Sequence, residues 1–470
     1  MPSVPSHPQR WLILGVICLA QLTVLLDNTV LNVAIPSLTR ELGASTSDIQ
    51  WMINAYSLVQ SGLLLTAGSA ADRYGRKRML IAGLALFGAG SVVAGCAGTT
   101  GQLIAARAGM GVGGALLLTT TLAVVMQIFA PEEQPKAIGV WAAVNSLGFA
   151  TGPLIGGFLL NHFWWGSIFL VNLPVAALAL VAVVALVPES KNPQGDRPDL
   201  PGALLSTVGM ASLVFTVISG PTHGWTSARV LVSGAVAVGV LALFARWESR
   251  APYPMLDLTL FRDRRFTGAV ASAVLVTFGM GGALFLLTQH LQLVLRYSPL
   301  EAGLRTAPLA LTVVALNFTG LAAKATVKLG GPAAILTGMT AMAAGLVSIA
   351  VASDGYAVTL LGLLLIGTGT ALAGPAMAHA IMSTIPPDRA GVGAGVNGML
   401  AEFGNGLGVA VLGAVLSARL ASGARLSSAL GTGQAVGAVA VFAGGVLAAV
   451  LLRRAGRAEP AREETTAVPS

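Results

Sequence analysis

Residues Val24–Pro36 read VLLDNTVLNVAIP and lie inside the first long apolar run of the chain, 11–36. A bilayer-crossing helix needs about 20 mostly apolar residues, so the run is long enough to span. It nevertheless carries Asp27, Asn28 and Asn32. A carboxylate near a bilayer centre costs roughly 2.5–3.5 kcal/mol on insertion scales, so Asp27 demands a partner or a function. By helical spacing, Gln21, Asn28 and Asn32 share one face, and Thr23 and Asp27 the adjacent one. That sector, roughly 100° wide, is expected to face a cavity or another helix, not lipid.

The rest of the chain extends this reading. Of its 470 residues, 55% are hydrophobic and 10% charged, with a mean hydropathy of +0.79. Soluble domains carry about 25% charged residues, so this chain belongs in a bilayer. Its 58 glycines suit helices that pack in lipid through small residues. Fourteen segments qualify as spans: 11–36, 50–70, 79–97, 102–127, 137–159, 166–187, 201–219, 228–247, 266–292, 302–323, 332–352, 356–378, 391–418 and 434–453. The longest gaps, Pro188–Leu200 and Glu248–Arg265, bracket the seventh and eighth.

The expected fold is therefore an all-α membrane protein of 14 transmembrane helices. It comprises a six-helix bundle over 1–187, an inserted helix pair over 188–265, a second six-helix bundle over 266–453 and a disordered tail over 454–470. With the N-terminus inside, 20 of the 27 Lys and Arg fall in cytoplasmic segments and six outside, Arg107 lying within a helix. That bias places both termini in the cytoplasm of a multi-pass cytoplasmic-membrane protein. The first run is too long for a cleaved leader. The net charge of +8 reflects topology, not nucleic-acid binding, because the basic residues lie in short gaps.

Two internal echoes suggest related halves. Gly68-Ser-Ala-Ala-Asp72 recurs as Gly320-Leu-Ala-Ala-Lys324, and Gly148 with Gly152 recurs as Gly404 with Gly408. Paired repeats around a midplane site are a common transporter plan. No GxxxxGK[ST] stretch occurs, so ATP is not a direct energy source. No cytosolic stretch is long enough for an enzyme domain, and no His/Cys cluster has metal spacing. Cys18 and Cys96 build no disulfide framework.

The segment GSAADRYGRKR, Gly68–Arg78, places Asp72 beside Arg73, Arg76, Lys77 and Arg78 around a turn at Gly75. It resembles the GxLaDrxGrkr loop of the major facilitator superfamily, with Ala70 where Leu is usual. Further stretches resemble the fourteen-helix drug–proton antiporters of that superfamily. VLLDNTVLNVAIP is similar to LDxTVxNVALP. LIAARAGMGVGGA (Leu103–Ala115) is similar to LxxxRxxQGxGaA and supplies Arg107, with Met110 in place of Gln. GFATGPLIGG (Gly148–Gly157) resembles GxxxGPxxGG. SIFLVNLPV (Ser167–Val175) and YSPLEAGL (Tyr297–Leu304) also look like that group. The resemblance implies export of a drug in exchange for protons, with the loop at Gly68, Asp72, Arg73, Gly75 and Arg76 latching one conformation.

The residues carry their own reading beside it. Gly148, Gly152 and Gly156 line one helix face, with Gly157 beyond them, and allow close approach of a partner helix. Pro153 removes a donor and bends the helix. Arg107 cannot shed its proton and must find an acid or helix carbonyls. It is expected to respond to the protonation of a nearby acid or to serve as a fixed anchor. Glu402 is the only other acid as deep in an apolar run as Asp27. The family pattern NxxxRQxGG would put Arg at 401 and Gln at 402, where this chain has Ala401 and Glu402. Glu402 is open to three roles: proton exchange, attraction of a cationic drug, or a neutral hydrogen-bonded acid. Asp27, Glu402 and Arg107 are thus the proton-coupling candidates. Asn28, Asn32, Asn54, Tyr56, Gln60, Gln289, Gln292, Asn317 and Asn405 contact either substrate or neighbouring helices.

The expected function is proton-coupled efflux of hydrophobic or cationic drugs or antibiotics by a monomer. Small molecules, protons and the bilayer are its partners; the proton gradient replaces any cofactor or metal. Export of an endogenous metabolite such as an amino acid or siderophore, and a non-transporting membrane sensor, are the alternatives.

Overall fold

The computed structural model describes residues 8–130, 132–191, 197–352, 355–382 and 390–457. The first seven helices are α1 (Arg10–Glu41), α2 (Thr46–Tyr74), α3 (Arg76–Gly95), α4 (Thr100–Ile128), α5 (Gln134–His162), α6 (Ser167–Leu170) and α7 (Asn172–Leu186). Next come α8 (Leu200–His223) and α9 (Ala228–Glu248). The remainder are α10 (Arg264–Gln289), α11 (Pro299–Phe318), α12 (Leu321–Leu329), α13 (Gly331–Val351), α14 (Tyr356–Met382), α15 (Ala390–Ala421) and α16 (Leu426–Arg457). A π-turn, His290–Val294, continues α10.

Each of the fourteen apolar stretches overlaps a helix. Among the described residues, twelve helices are long and apolar enough to cross a membrane, counting α6 with α7 and α10 with its π-turn as single spans. The other two stretches fall on α2 and α5, of 29 residues each. α2 carries an unusual share of polar residues, among them Gln50, Asn54, Ser57, Gln60 and Ser61, all buried.

Boundaries differ from the expected ones where glycine turns the chain. The tenth stretch, 302–323, ends early because Gly320 takes φ 69°, a left-handed conformation that glycine adopts without steric cost. A short helix, α12, follows. The echo between Gly68–Asp72 and Gly320–Lys324 is therefore one of sequence only, since α2 runs unbroken through the first copy. At its far end α16 reaches Arg457, so residues 454–457, expected in a tail, are helical. The remainder of that tail, 458–470, lies outside the described residues.

Packing repeats along the chain. α2 and α3 each pack on α4, α1 on α5 and α7, and α3 on α7. The same pattern recurs as α11 and α13 on α14, α10 on α15 and α16, and α13 on α16. The start of α2 and the start of α11 even share a device. Ser45 and Asp48 form a capping box, as do Ser298 and Glu301, each satisfying two otherwise orphaned amides. Two large joins connect the sets, α5 with α11 and α2 with α15, and α1 also touches α10 and α11. α8 and α9 pack on each other, and α8 also packs on α2 and α15. α9 leaves Leu231, Val232 and Val238 exposed, as a helix facing lipid would.

Small residues set the closeness of these joins. A methyl at Gly152 would overlap the Thr29 hydroxyl of α1, and one at Gly156 would lie 2.9 Å from Val30. Across the α5–α11 join, a methyl at Gly157 would sit 2.6 Å from the Pro299 carbonyl, and one at Gly303 2.2 Å from the Pro153 carbonyl. Backbone cannot yield as a flexible side chain can. Gly303→Ala should therefore destabilise the purified protein by about 1–3 kcal/mol, read as a lowered thermal midpoint. Gly374→Ala, where nothing lies within 4 Å, should leave the midpoint unchanged.

Candidate functional site

The middle of α1 meets α4 at a charge pair. Asp27 and Arg107 form an ion pair through Asp27 Oδ2 and Arg107 Nη1, with both side chains 1% exposed. Asn172 Nδ2, from the first residue of α7, donates to Asp27 Oδ1 at 3.3 Å. Arg107 Nε donates to the Met52 carbonyl of α2 at 3.1 Å. The guanidinium also lies over the Tyr56 ring, 4.4 Å from its centroid, a favourable cation–π contact. Tyr56 in turn meets Phe87 of α3 edge-on at 6.4 Å. α1, α2, α4 and α7 thus converge on one pair of charges, with α3 behind. The glycines after Arg107 make room: a methyl at Gly114 would lie 2.5 Å from Tyr56 Oη. Met110, fully buried, fills space against Gly90 of α3.

The second acid stands on the other side of α2. Ser57 Oγ donates to Glu402 Oε2 of α15 at 3.3 Å. Glu402 is half-buried, and none of the ion pairs among the described residues includes it. Two turns away, Gln50 Nε2 donates to the carbonyls of Val409 and Ala410, at 3.1 and 2.8 Å. A methyl at Gly406 would lie 2.6 Å from Asn54 Oδ1. α2 therefore presents Met52 and Tyr56 to the buried pair, and Gln50, Asn54 and Ser57 to α15.

The other candidates divide. Asn28 and Asn32 are half-buried, and Asn32 Nδ2 donates back to the Asn28 carbonyl at 3.2 Å. Asn32 also lines a cavity of about 20 Å³, with Thr29, Pro153, Thr288 and Thr306, where α1, α5, α10 and α11 meet. That is room for one water. Asn405 is half-buried with Oδ1 against Gly281 of α10. Gln292 Nε2 reaches across to the Val33 carbonyl of α1 at 2.8 Å, joining two helices. Gln289 is instead turned back to the Phe285 carbonyl of its own helix, at 3.0 Å. Asn54, Tyr56 and Gln60 are fully buried, and Tyr56 and Gln60 pack against Gly114 of α4. Asn317 is exposed near the end of α11, apart from the others, because the helix terminates at Phe318.

The loop after α2 is built from both sides. Gly75 takes φ 117°, which lets α3 begin one residue after α2 ends. Arg76 donates to Asp72 Oδ1 from Nη2 at 2.7 Å and Nε at 2.9 Å, and from Nη1 to the Ala123 carbonyl at 3.3 Å. The half-exposed ion pair is worth less than about 1 kcal/mol by itself. The added grip comes from the segment after α7. The Ser190 carbonyl accepts from Arg76 N at 2.9 Å. Glu189 Oε1 accepts from Lys77 N at 3.2 Å, and Glu189 Oε2 pairs with Arg78 at 3.6 Å. Ser190 Oγ also donates to Gln127 Oε1 of α4.

Sequence reasoning missed Glu189, Ser190 and Asn172. The available signals were an acid just after the sixth apolar run, opposite four cations, and an asparagine inside that run.

Residues 17–409 match the sequence pattern of the Major Facilitator Superfamily. The chain belongs to this superfamily. Multidrug resistance protein Stp of Mycobacterium tuberculosis is 38% identical over 402 residues, covering 85% of this chain and 74% of that protein. Multidrug efflux pump LfrA of Mycolicibacterium smegmatis is 35% identical over 454 residues, covering 95% and 89%. Among solved structures, peptide transporter POT in complex with sulfate shares the fold, with a TM-score of 0.71, 17% identity and 96% of each chain covered. The facilitator-superfamily fold and these relatives mark the chain as a membrane transporter of small molecules.

The buried pair makes a stability prediction. Removing one partner of a buried ion pair typically costs about 3–5 kcal/mol, whereas replacing both by uncharged groups is far cheaper. Arg107→Met should therefore depress the unfolding midpoint of the purified transporter strongly. Arg107→Met combined with Asp27→Asn should recover most of the loss, which a two-by-two comparison of unfolding curves would read.

Proposed function

We propose that this facilitator-superfamily protein exports a hydrophobic or cationic drug or natural antibiotic across the cytoplasmic membrane in exchange for protons. The observation that carries this reading is the contrast between the two deep acids. Asp27 is sealed in a neutralised pair with Arg107, while Glu402 is half-buried and bonded to the Ser57 hydroxyl. An acid with no cation among the described residues at ion-pairing distance, in a low-dielectric interior, is where a proton and a cationic ligand compete for one negative charge. The names of the relatives, multidrug resistance and multidrug efflux, support the same cargo class.

The working unit in this proposal is a monomer with fourteen spans and both termini cytoplasmic. Residues 1–187 and 266–453 form two six-helix bundles, and 188–265 supply the added pair α8 and α9. With that orientation, the contacts Gln292–Val33, Gln50–Ala410 and Gly157–Pro299 lie toward the extracellular ends of their helices. They hold the outer side together. Loading then occurs from the cytoplasm or the inner leaflet while Asp27 or Glu402 is ionised. A proton arriving from outside neutralises the acid, releases the drug and allows return. If Asp27 takes the proton, Arg107 loses its counter-charge. It keeps the Met52 carbonyl and the Tyr56 ring, both on α2, so α1 and α4 are freed to shift relative to each other.

Cells making the protein should accumulate several-fold less of a fluorescent lipophilic cation than cells without it. A proton ionophore should abolish the difference; efflux that survives the ionophore would rule out proton coupling. Asp27→Asn should transport nothing while still reaching the membrane, and full activity in that variant would remove Asp27 from the mechanism. Glu402→Gln should lose cationic drugs more severely than neutral ones, scored as resistance across a chemically diverse panel.

A further inference from the structure

A second pair of acids lies well away from Asp27 and Glu402, at the base of the α8–α9 pair. Asp199 caps α8, accepting from Gly202 N at 2.9 Å. Glu248 is the last residue of α9 and accepts from Leu256 N at 3.0 Å through Oε2. Both residues are buried, at 8% and 3% exposure. Their remaining oxygens converge. A methyl built on Gly202 would lie 2.3 Å from Asp199 Oδ2 and 2.6 Å from Glu248 Oε1, so both atoms flank the same small space. Trp247 Nε1 covers Asp199, at 2.9 Å from Oδ1 and 3.1 Å from Oδ2. Glu248 Oε1, by contrast, is buried with no hydrogen-bond donor.

Among the described residues, no ion pair compensates the two acids. The charged residues on the elements packed around them are Arg197 ahead of α8, Arg246 and Arg250 at the end of α9, and Asp257 in the linker. Asp72 and Arg73 lie near the end of α2 and Glu402 on α15; the same elements also carry Asp48, His223, Arg229, Arg262, Asp263 and Arg419. No ion pair among the described residues joins Asp199 or Glu248 to any of the arginines. Two ionised carboxylates are acceptors only, and buried side by side they repel. A single proton between them turns the contact into a hydrogen bond, as in other sites that two carboxyl groups share.

We infer that Asp199 and Glu248 hold one proton between Asp199 Oδ2 and Glu248 Oε1, forming a proton site separate from the transport acids. The bonds around it show what the proton fastens. Thr66 Oγ1 of α2 donates to the Asp199 carbonyl at 3.3 Å and contacts Met255 Sδ at 3.6 Å. Leu256, which binds Glu248, belongs to the linker leading to α10. The protonated pair therefore ties the start of α8, the end of α9 and this linker to α2, a few residues before the loop at Gly68–Arg78. Loss of the proton leaves two like charges in one buried space, and the tie loosens as pH rises.

Hydrogen–deuterium exchange on the purified full chain in lipid nanodiscs tests this directly. The amides of Gly202 and Leu256 report on the pair, with each rate divided by its intrinsic rate at the same pH. In the wild type their protection should fall by about tenfold as pH is raised from mildly acidic to mildly alkaline. In Glu248→Gln, whose amide donates to Asp199 without a titrating proton, protection should stay flat. Asp199→Asn, which keeps an N-cap acceptor, should behave alike and serves if the first variant does not fold. Protection that is flat in the wild type, or that falls equally in both variants, would overturn the proposal. So would restoration of wild-type protection at alkaline pH by magnesium or calcium, which would assign the space to a metal ion.

Discussion

A carboxylate and a guanidinium withdrawn from both water and lipid headgroups have to find each other, and much of this fold follows from that requirement. Asp27 and Arg107 are each almost wholly buried, so their meeting fixes α1 against α4. Each remaining valence then recruits a further helix: Asn172 brings α7, the Met52 carbonyl and Tyr56 ring bring α2, and Phe87 brings α3. A buried ion pair is weak evidence for net stability. What it does fix is which helices meet. The arrangement holds only while both charges are present, and protonation of the acid is the simplest way to remove one.

The second constraint is close approach. The two halves of the chain repeat one set of helix contacts and then touch through α5 with α11 and α2 with α15. At these joins the neighbour of a glycine is often main chain: the Pro299 carbonyl for Gly157, the Pro153 carbonyl for Gly303. Polar side chains also reach across to carbonyls, as Gln50 does to Val409 and Ala410. Large apolar side chains also pack across, Phe278, Phe285 and Leu412 sharing one buried cluster with residues of the first half. Glu402 sits within the join of α2 with α15, bonded across to Ser57.

Much of this was legible in the sequence because burial of charge is expensive and apolar runs are long. Asp27 has to have a partner, and Arg107 is a cation well inside a span rather than near its end, although the sequence alone leaves helix carbonyls open as its anchor. The glycine face at Gly148–Gly156 likewise announced a close helix contact, and it meets α1. Helical periodicity says which residues share a face, but not whether that face looks onto a cavity or a neighbouring helix. Tyr56 and Gln60 thus stand among the residues that contact either substrate or neighbouring helices, and the structure packs them against Gly114 of α4. Asn317 sits in the tenth stretch as expected, but one left-handed glycine among 58 follows the end of its helix, where Asn317 is exposed. Glu189, Ser190 and Asn172 act through tertiary neighbours more than 100 residues away, and local pattern carries no trace of those.

The most direct test of the account is drug flux in proteoliposomes containing only this transporter, with a proton gradient imposed and then dissipated. The account predicts that a lipophilic cation moves against its own gradient while protons flow the other way, and that Asp27→Asn abolishes both fluxes together. Cation movement at the same rate with and without the proton gradient would contradict it.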